Sequence, residues 1–321
     1  MGFVLGGVIA ELALRVSGYS YPEFYQRDEV LGVSLLPGAE GWYRKEGEAY
    51  VRINSDGLRD REHAIAKPQG TFRIAIVGDS YCEAFSVSLE EAFWSVMEKD
   101  LEQCNAFPGR KIEVINAGVN AWSYPQMLVY LRNTAIRYEP DILILGEANL
   151  WTQFSEKNSP EFVRKFMNRV RMKNILRRFA TYHFIVEVKL KEFYERNRTR
   201  FIPVDPAQDT LFKQQQQSNP ESLFRGTIEE ICRLAQERRI KPVLLYLPSL
   251  DEAQSTNSTT VLKVKRELGE SLNLPVVDLT PAVRTNGKAL YLEADPIHYN
   301  ALGNGMIAQR LYESLMNAVV P

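Results

Sequence analysis

The stretch TFRIAIVGDSYCE, Thr71 to Glu83, decides the fold: an apolar, β-branched run enters a Gly78-Asp79-Ser80 turn, and helical character resumes at Glu83 and Ala84. Ile74 to Val77 reads as a buried strand. Gly78 is expected to supply the tight bend at its end, which leaves Ser80 in the first turn of a helix. Unpaired N–H groups and the positive dipole end favour negative charge beside a serine hydroxyl there. Taken alone, a Gly-Asp-Ser triplet is better explained by an ordinary strand-to-helix turn than by a nucleophile.

From Thr71 onward short apolar strands alternate with helical stretches, the pattern of βαβ crossovers and a parallel sheet. Strand candidates are Phe72 to Val77, Ile112 to Asn116, Asp141 to Leu145, Pro242 to Leu247 and Pro275 to Leu279. Helix candidates are Ser88 to Cys104, Tyr124 to Tyr138, Glu221 to Arg238 with Asn219 and Pro220 as cap and first residue, Thr259 to Leu268, and Tyr299 to Met316. The expectation is an α/β domain over residues 71–318, with three layers, α/β/α, and a five-stranded parallel sheet.

Upstream, residues 19–70 mix aromatics, Gly and Pro with short alternating runs such as Tyr50-Val51-Arg52-Ile53, which ends in the cluster Asn54-Ser55-Asp56-Gly57. They read as a small β-rich extension of hairpins and loops, with Lys67 to Gly70 as its boundary. Residues 1–18 hold an apolar run, Met1 to Ala10, interrupted by Glu11 and Arg15 short of the roughly 20 residues a spanning helix needs. Two readings stand: the end of an anchor helix in contact with a membrane, or an amphipathic helix with Leu12, Leu14 and Val16 on a core. Residues 151–218 break the α/β rhythm as a helical insertion. Between Glu161 and Arg200 it carries twelve Lys or Arg against four Glu and no Asp, which suits either a solvated flap beside the site or an anionic surface. Gln214 to Gln217 reads as loop.

Composition narrows the function. The 321 residues are 45% hydrophobic, enough for a full core, and 39 Lys and Arg against 40 Asp and Glu argue against a nucleic-acid partner. Cys82, Cys104 and Cys232 are widely spaced and odd in number, indicating neither a disulfide framework nor a metal site. No cofactor is called for.

With three histidines, the search for a base is short. His298 follows Asp295 by three residues just ahead of the last helix, where the carboxylate would meet the ring across one turn. It would hold one ring N–H and leave the other nitrogen to take a proton from a serine. By itself the Asp-x-x-His spacing fits a surface turn better. His63, in a charged loop, and His183, in the insertion, read as structural or solvent-facing. Functional residues of an open parallel sheet gather at the strands' carboxyl ends, where Gly118 and Asn149 also fall. The N–H groups of Ser80 and Gly118 and the amide of Asn149 would give three donors to one oxyanion, each worth on the order of 3 kcal/mol in the transition state.

In chain order, a serine after strand one, a glycine after strand two, an asparagine after strand three and an Asp-x-x-His before the final helix resemble the four blocks of the SGNH hydrolases, also called GDSL esterases. The resemblance covers about Thr71 to Met316. It implies a flavodoxin-like fold, Ser80 as nucleophile, His298 as base, Asp295 as its orienter, and Ser80, Gly118 and Asn149 around the oxyanion. The apolar start, the Asn54 to Arg59 stretch and the insertion look like a bacterial membrane-anchored branch, implying an extracytoplasmic envelope location, with the cytoplasm as the alternative. One departure stands out: the third block is usually Gly-x-Asn-Asp, whereas Gly146 is followed by Glu147-Ala148-Asn149-Leu150. The expected function is hydrolysis of carboxylic esters, on glycans, lipids or small molecules, through an acyl-enzyme. The alternatives are an O-acyltransferase acting on an envelope polysaccharide and a non-catalytic envelope binding protein. No GxSxG, HExxH or Walker-type loop is present.

Overall fold

The computed structural model describes residues 2–17, 22–28, 30–44, 46–120, 122–147, 179–190, 220–256, 259–293 and 295–318. Asn149, Asn219, the Gln214 to Gln217 run and all of the insertion except 179–190 lie outside these residues. The chain divides into two units, Met1–Pro22 with Thr152–Pro220, and Glu23–Trp151 with Glu221–Pro321.

In the first unit, helix α1 (Gly2–Val16) exposes Val4, Leu5, Val8, Ile9 and Leu12. Its Glu11 carboxylate accepts from the N–H groups of Ala180 and Thr181 and from the Thr181 hydroxyl, at 2.6–3.0 Å, capping the start of a second helical stretch. These bonds bring the Glu11 carboxyl down to about 2. No helix among the described residues is long and apolar enough to cross a membrane.

The second unit opens with two antiparallel hairpins, β1 (Tyr25–Asp28) with β2 (Gly32–Leu35), and β3 (Glu40–Tyr43) with β4 (Ala49–Arg52). There follow β5 (Thr71–Gly78), α2 (Ser80–Glu83), α3 (Phe93–Gln103), β6 (Lys111–Gly118), α4 (Tyr124–Asn133), β7 (Ile142–Glu147) and α5 (Pro220–Glu237). Then come β8 (Lys241–Tyr246), α6 (Leu250–Gln254), α7 (Thr260–Leu272), β9 (Val276–Asp278), α8 (Thr280–Asn286), β10 (Tyr291–Leu292), β11 (Asp295–Tyr299) and α9 (Ala301–Ala318). The five parallel strands lie in the order β6-β5-β7-β8-β9. In chain order that is 2-1-3-4-5, the flavodoxin-like winding, with its reversal of direction beside β5.

The strands are apolar on both faces because both are covered. One face buries Ala75, Val77, Leu143, Leu145 and Leu244 with side chains from α4, α5 and α7 and from the hairpins. The other buries Ile74, Ile76, Val114, Ile144 and Val243 with side chains from α3, α8 and α9. The hairpins thus share a core with the sheet.

Three local expectations are corrected. Tyr299 ends a strand and does not start the last helix, which begins at Ala301 once Asn300 Oδ1 has accepted the Gly303 N–H at 3.0 Å. Helix α3 begins at Phe93, five residues later than its apolar pattern suggests. Gly78 has no positive φ; its use is space. Gly78, Gly118 and Gly146 are aligned across β5, β6 and β7 and form a floor beneath α2. A Cβ on Gly78 or Gly146 would strike Cys82 Sγ, and one on Gly118 would strike the Cys82–Glu83 backbone. The row lets a four-residue helix lie directly on the strand ends.

Candidate active site

Asp79 caps α2, its Oδ1 accepting the Tyr81 N–H at 3.0 Å, so Ser80 is the first helical residue. Its backbone N–H belongs to the first turn, where no intrahelical acceptor exists. The other end of this short helix is held by Arg59. Its fully buried guanidinium donates to the carbonyls of Glu83 (2.9 Å), Ala84 and Val87 and lies 5.5 Å from the ring centroids of both Phe85 and Trp94. Burial lowers its pKa to about 10, so it stays cationic at neutral pH.

His298 arrives on β11. The Asp295–His298 relation is not one turn of helix: Asp295 Oδ1 accepts the Ile297 N–H at 2.9 Å, closing an Asx turn, while Oδ2 meets His298 Nδ1 at 2.5 Å. His298 Nε2 lies 3.1 Å from Ser80 Oγ. A carboxylate only accepts, so Nδ1 carries the ring proton and Nε2 is left to accept from the serine hydroxyl. Burial raises the Asp295 pKa, but the bonds from His298 and Ile297 outweigh it and hold the carboxyl below its ordinary value. The strand is fixed from behind: the stacked rings of Tyr291 and Tyr299 both donate through their hydroxyls to Pro248 O, at 2.7 and 2.6 Å, and Ser86 Oγ donates to Tyr299 O at 3.0 Å. The His298 side chain keeps 18% of its surface exposed, so a substrate can reach it.

Gly118 is not brought into this group. Its N–H donates to Asn116 Oδ1 at 3.2 Å beneath α2. The β6 end instead contributes Asn120 to the cavity wall beside Ser80 and His298, with Glu46, Glu83, Phe85 and Ser86. The cavity holds about 20 Å³, room for about one water. Glu83 is fully buried, accepts from Tyr25 Oη at 2.7 Å and from the Asn120 N–H at 3.0 Å, and has its carboxyl pushed up to about 8 by burial, against these bonds and the Arg59 charge. Burial and the adjacent Glu83 also hold the proton on Tyr25, which keeps the phenol as the donor in this bond.

Sequence reading missed Arg59, Glu83, Asn120 and Glu46. Glu83 was within reach as the residue three beyond Ser80, on the same side of a helical turn. Glu46 had no local signal. Its carboxylate, Asp295 and His298 have ligand atoms within 4.8 Å of one another, the one such set among the described residues with the spacing a metal ion would need.

No family model and no curated protein matches the chain. Among solved structures it is similar to an acetyl xylan esterase, AlAXEase (14% identity, 76% of this chain and 100% of that one, TM-score 0.47). It is similar also to the lipase/acylhydrolase from Enterococcus faecalis (15%, 77% and 96%, TM-score 0.47) and to the psychrotrophic esterase EstA from Pseudoalteromonas sp. (14%, 76% and 97%, TM-score 0.45).

Proposed function

We propose that the chain is a serine ester hydrolase of the SGNH type. The observation that carries the reading is the continuous line from Asp295 Oδ2 through His298 Nδ1 and Nε2 to Ser80 Oγ, at 2.5 and 3.1 Å. Ser80 Oγ attacks the ester carbonyl while its proton passes to Nε2, and the carbonyl electron pair moves onto oxygen. Collapse of the adduct releases the alcohol with that proton, and water repeats the sequence on the acyl-enzyme. The Ser80 N–H and the Asn149 amide remain the proposed oxyanion donors. Gly118 loses this role because its N–H is committed to Asn116.

The small cavity, whose described walls are polar apart from Phe85, favours a short acyl group on a hydroxyl-rich alcohol over a long fatty chain. Acetyl esters of glycans fit that description. We extend the reading to location: the exposed apolar surface of α1 supports membrane contact at the cell envelope, measurable as α1-dependent flotation with phosphatidylcholine vesicles.

Mass spectrometry after incubation with a fluorophosphonate tests the assignment. The expected result is an adduct on Ser80, with adduct and p-nitrophenyl acetate hydrolysis both lost in Ser80→Ala and His298→Ala. Hydrolysis persisting in folded Ser80→Ala, or no adduct on folded wild type, overturns it. Added sugar hydroxyls competing with water for the acyl group would mark a transferase using the same residues.

A further inference from the structure

We propose that Glu46 is a second carboxylate on the catalytic base, a positioning residue that shares the Nδ1–H of His298 with Asp295. The proposal rests on the reading of Ser80 and His298 given above and brings the β3–β4 hairpin into the reaction.

Four observations carry it. Glu46 Oε2 lies 3.8 Å from His298 Nδ1, the same nitrogen that Asp295 engages. Glu46 is aimed there by Tyr43, whose hydroxyl donates to Oε2 at 2.6 Å. The loop bearing it is seated tightly: a Cβ on Gly47 would stand 2.6 Å from Ser86 O, and Ser86 in turn holds the backbone of Tyr299, the neighbour of His298. Finally, carboxylate oxygens of Glu46 and Asp295 lie within 4.8 Å of each other. Two like charges so close repel unless positive charge comes between them.

The reaction supplies that charge. As Ser80 Oγ bonds the acyl carbon and its proton moves to Nε2, the ring becomes an imidazolium, and its Nδ1–H faces both carboxylates. When the adduct collapses, the departing alkoxide takes the Nε2 proton and the ring is neutral again. Glu46 therefore acts most strongly when the ring is charged, which places its effect on kcat and not on substrate binding. It also stands ready to accept the Nδ1–H when Asp295 is removed, because a rotation of its side chain closes the remaining distance.

The test is a double-mutant cycle in the full chain, in EDTA, with thermal melts confirming that each variant is folded. Glu46→Gln, which keeps an acceptor for Tyr43, is expected to lower kcat about 3–10-fold with KM within twofold. Asp295→Ala is expected to lower kcat about 10–100-fold, and the double variant to fall at least tenfold below the product of the two, since neighbouring groups on one partner do not add. A double variant equal to the product of the singles, or a Glu46→Gln effect confined to KM, overturns the proposal. A readout independent of hydrolysis is the downfield proton resonance of the His298 Nδ1–H. It is expected to persist in Asp295→Ala and vanish when Glu46→Ala, which leaves no acceptor, is combined with Asp295→Ala, and its loss already in Asp295→Ala also overturns the proposal. The expected resonance pattern in a protein that cleaves no ester would uphold the pairing and overturn the hydrolase reading beneath it.

Discussion

The chain contains Asp-x-x-His twice, and only one copy faces a serine. In Asp295-Pro296-Ile297-His298 the carboxylate meets Nδ1 at 2.5 Å and Nε2 lies 3.1 Å from Ser80 Oγ. In Asp60-Arg61-Glu62-His63 the carboxylate lies 3.3 Å from His63 Nε2 without hydrogen-bond alignment, and that nitrogen is buried with no hydrogen-bond partner. Asp60 serves a different group: its Oδ2 accepts the Asn116 N–H at 2.7 Å, and Asn116 in turn receives the Gly118 N–H. The same spacing thus lines up a carboxylate, an imidazole and a serine hydroxyl in one place and builds a brace for strand β6 in the other. What separates them is the third partner, which the spacing does not specify.

The largest test of this contrast is His298→Ala, expected to cut ester hydrolysis by about 10³-fold or more, the scale of losing a general base together with the nucleophile it activates. The melting temperature should hold within a degree or two. A folded variant retaining a tenth of wild-type activity would break the comparison. Arg59→Ala comes next. It strips the end of α2 of its donors, and an expected loss of about 3 kcal/mol follows from leaving buried carbonyls unsatisfied. The measurement is a urea melt beside fluorophosphonate labelling, which should slow because Ser80 is no longer held.

Asp60→Ala crosses the comparison with Asp295→Ala. It leaves the Asn116 N–H buried without its acceptor, an expected cost of about 1–3 kcal/mol, with kcat within about threefold of wild type. A large kcat effect with an unchanged melt would mean that the first pair is also chemical. Glu83→Gln sharpens the picture through pH. The carboxyl of Glu83 binds its proton more tightly when folded, at about 8 against an ordinary 4.5. Its contribution to stability is therefore full below pH 4.5 and is lost as pH rises through 8. The Gln variant stays neutral, so melts at pH 5 and pH 9 should show it gaining on wild type by several degrees, at about 2–4 °C per kcal/mol. Smallest is His63→Ala, for which hydrolysis within twofold of wild type is expected.

The sheet was legible because its signals are local. Thr71–Gly78 is buried throughout and apolar from Ile74 to Val77, and its neighbours share the pattern, so periodicity and breakers place all five strands within about two residues. The short elements α6, α8, β10 and β11 were not legible. Each has too few residues for a period, and β11 exists because Pro296 and the Asx turn of Asp295 hold the chain extended beside β10. The charged residues inside the core were missed for a related reason. Arg73 sits in the middle of an apolar strand, yet it is fully buried, bonded to Glu113 at 2.9 Å and to the carbonyls of Ala64, Ile65 and Tyr138. Those partners lie 8 to 65 residues away, beyond the reach of any pattern.

By itself, the sequence determined the α/β architecture, the helix start at Ser80 and the spacing of Asp295 to His298, all set by backbone sterics and side-chain periodicity over a few residues. Only the tertiary structure decided how His298 reaches the serine, on a strand and through an Asx turn, that Gly78, Gly118 and Gly146 are a floor for α2, and that Glu46 and Glu83 enter the cavity. These depend on strand order and register, which bring together residues more than 200 positions apart. Such contacts are fixed by the joint packing of both faces of the sheet, a property of the whole chain that no single stretch of it encodes.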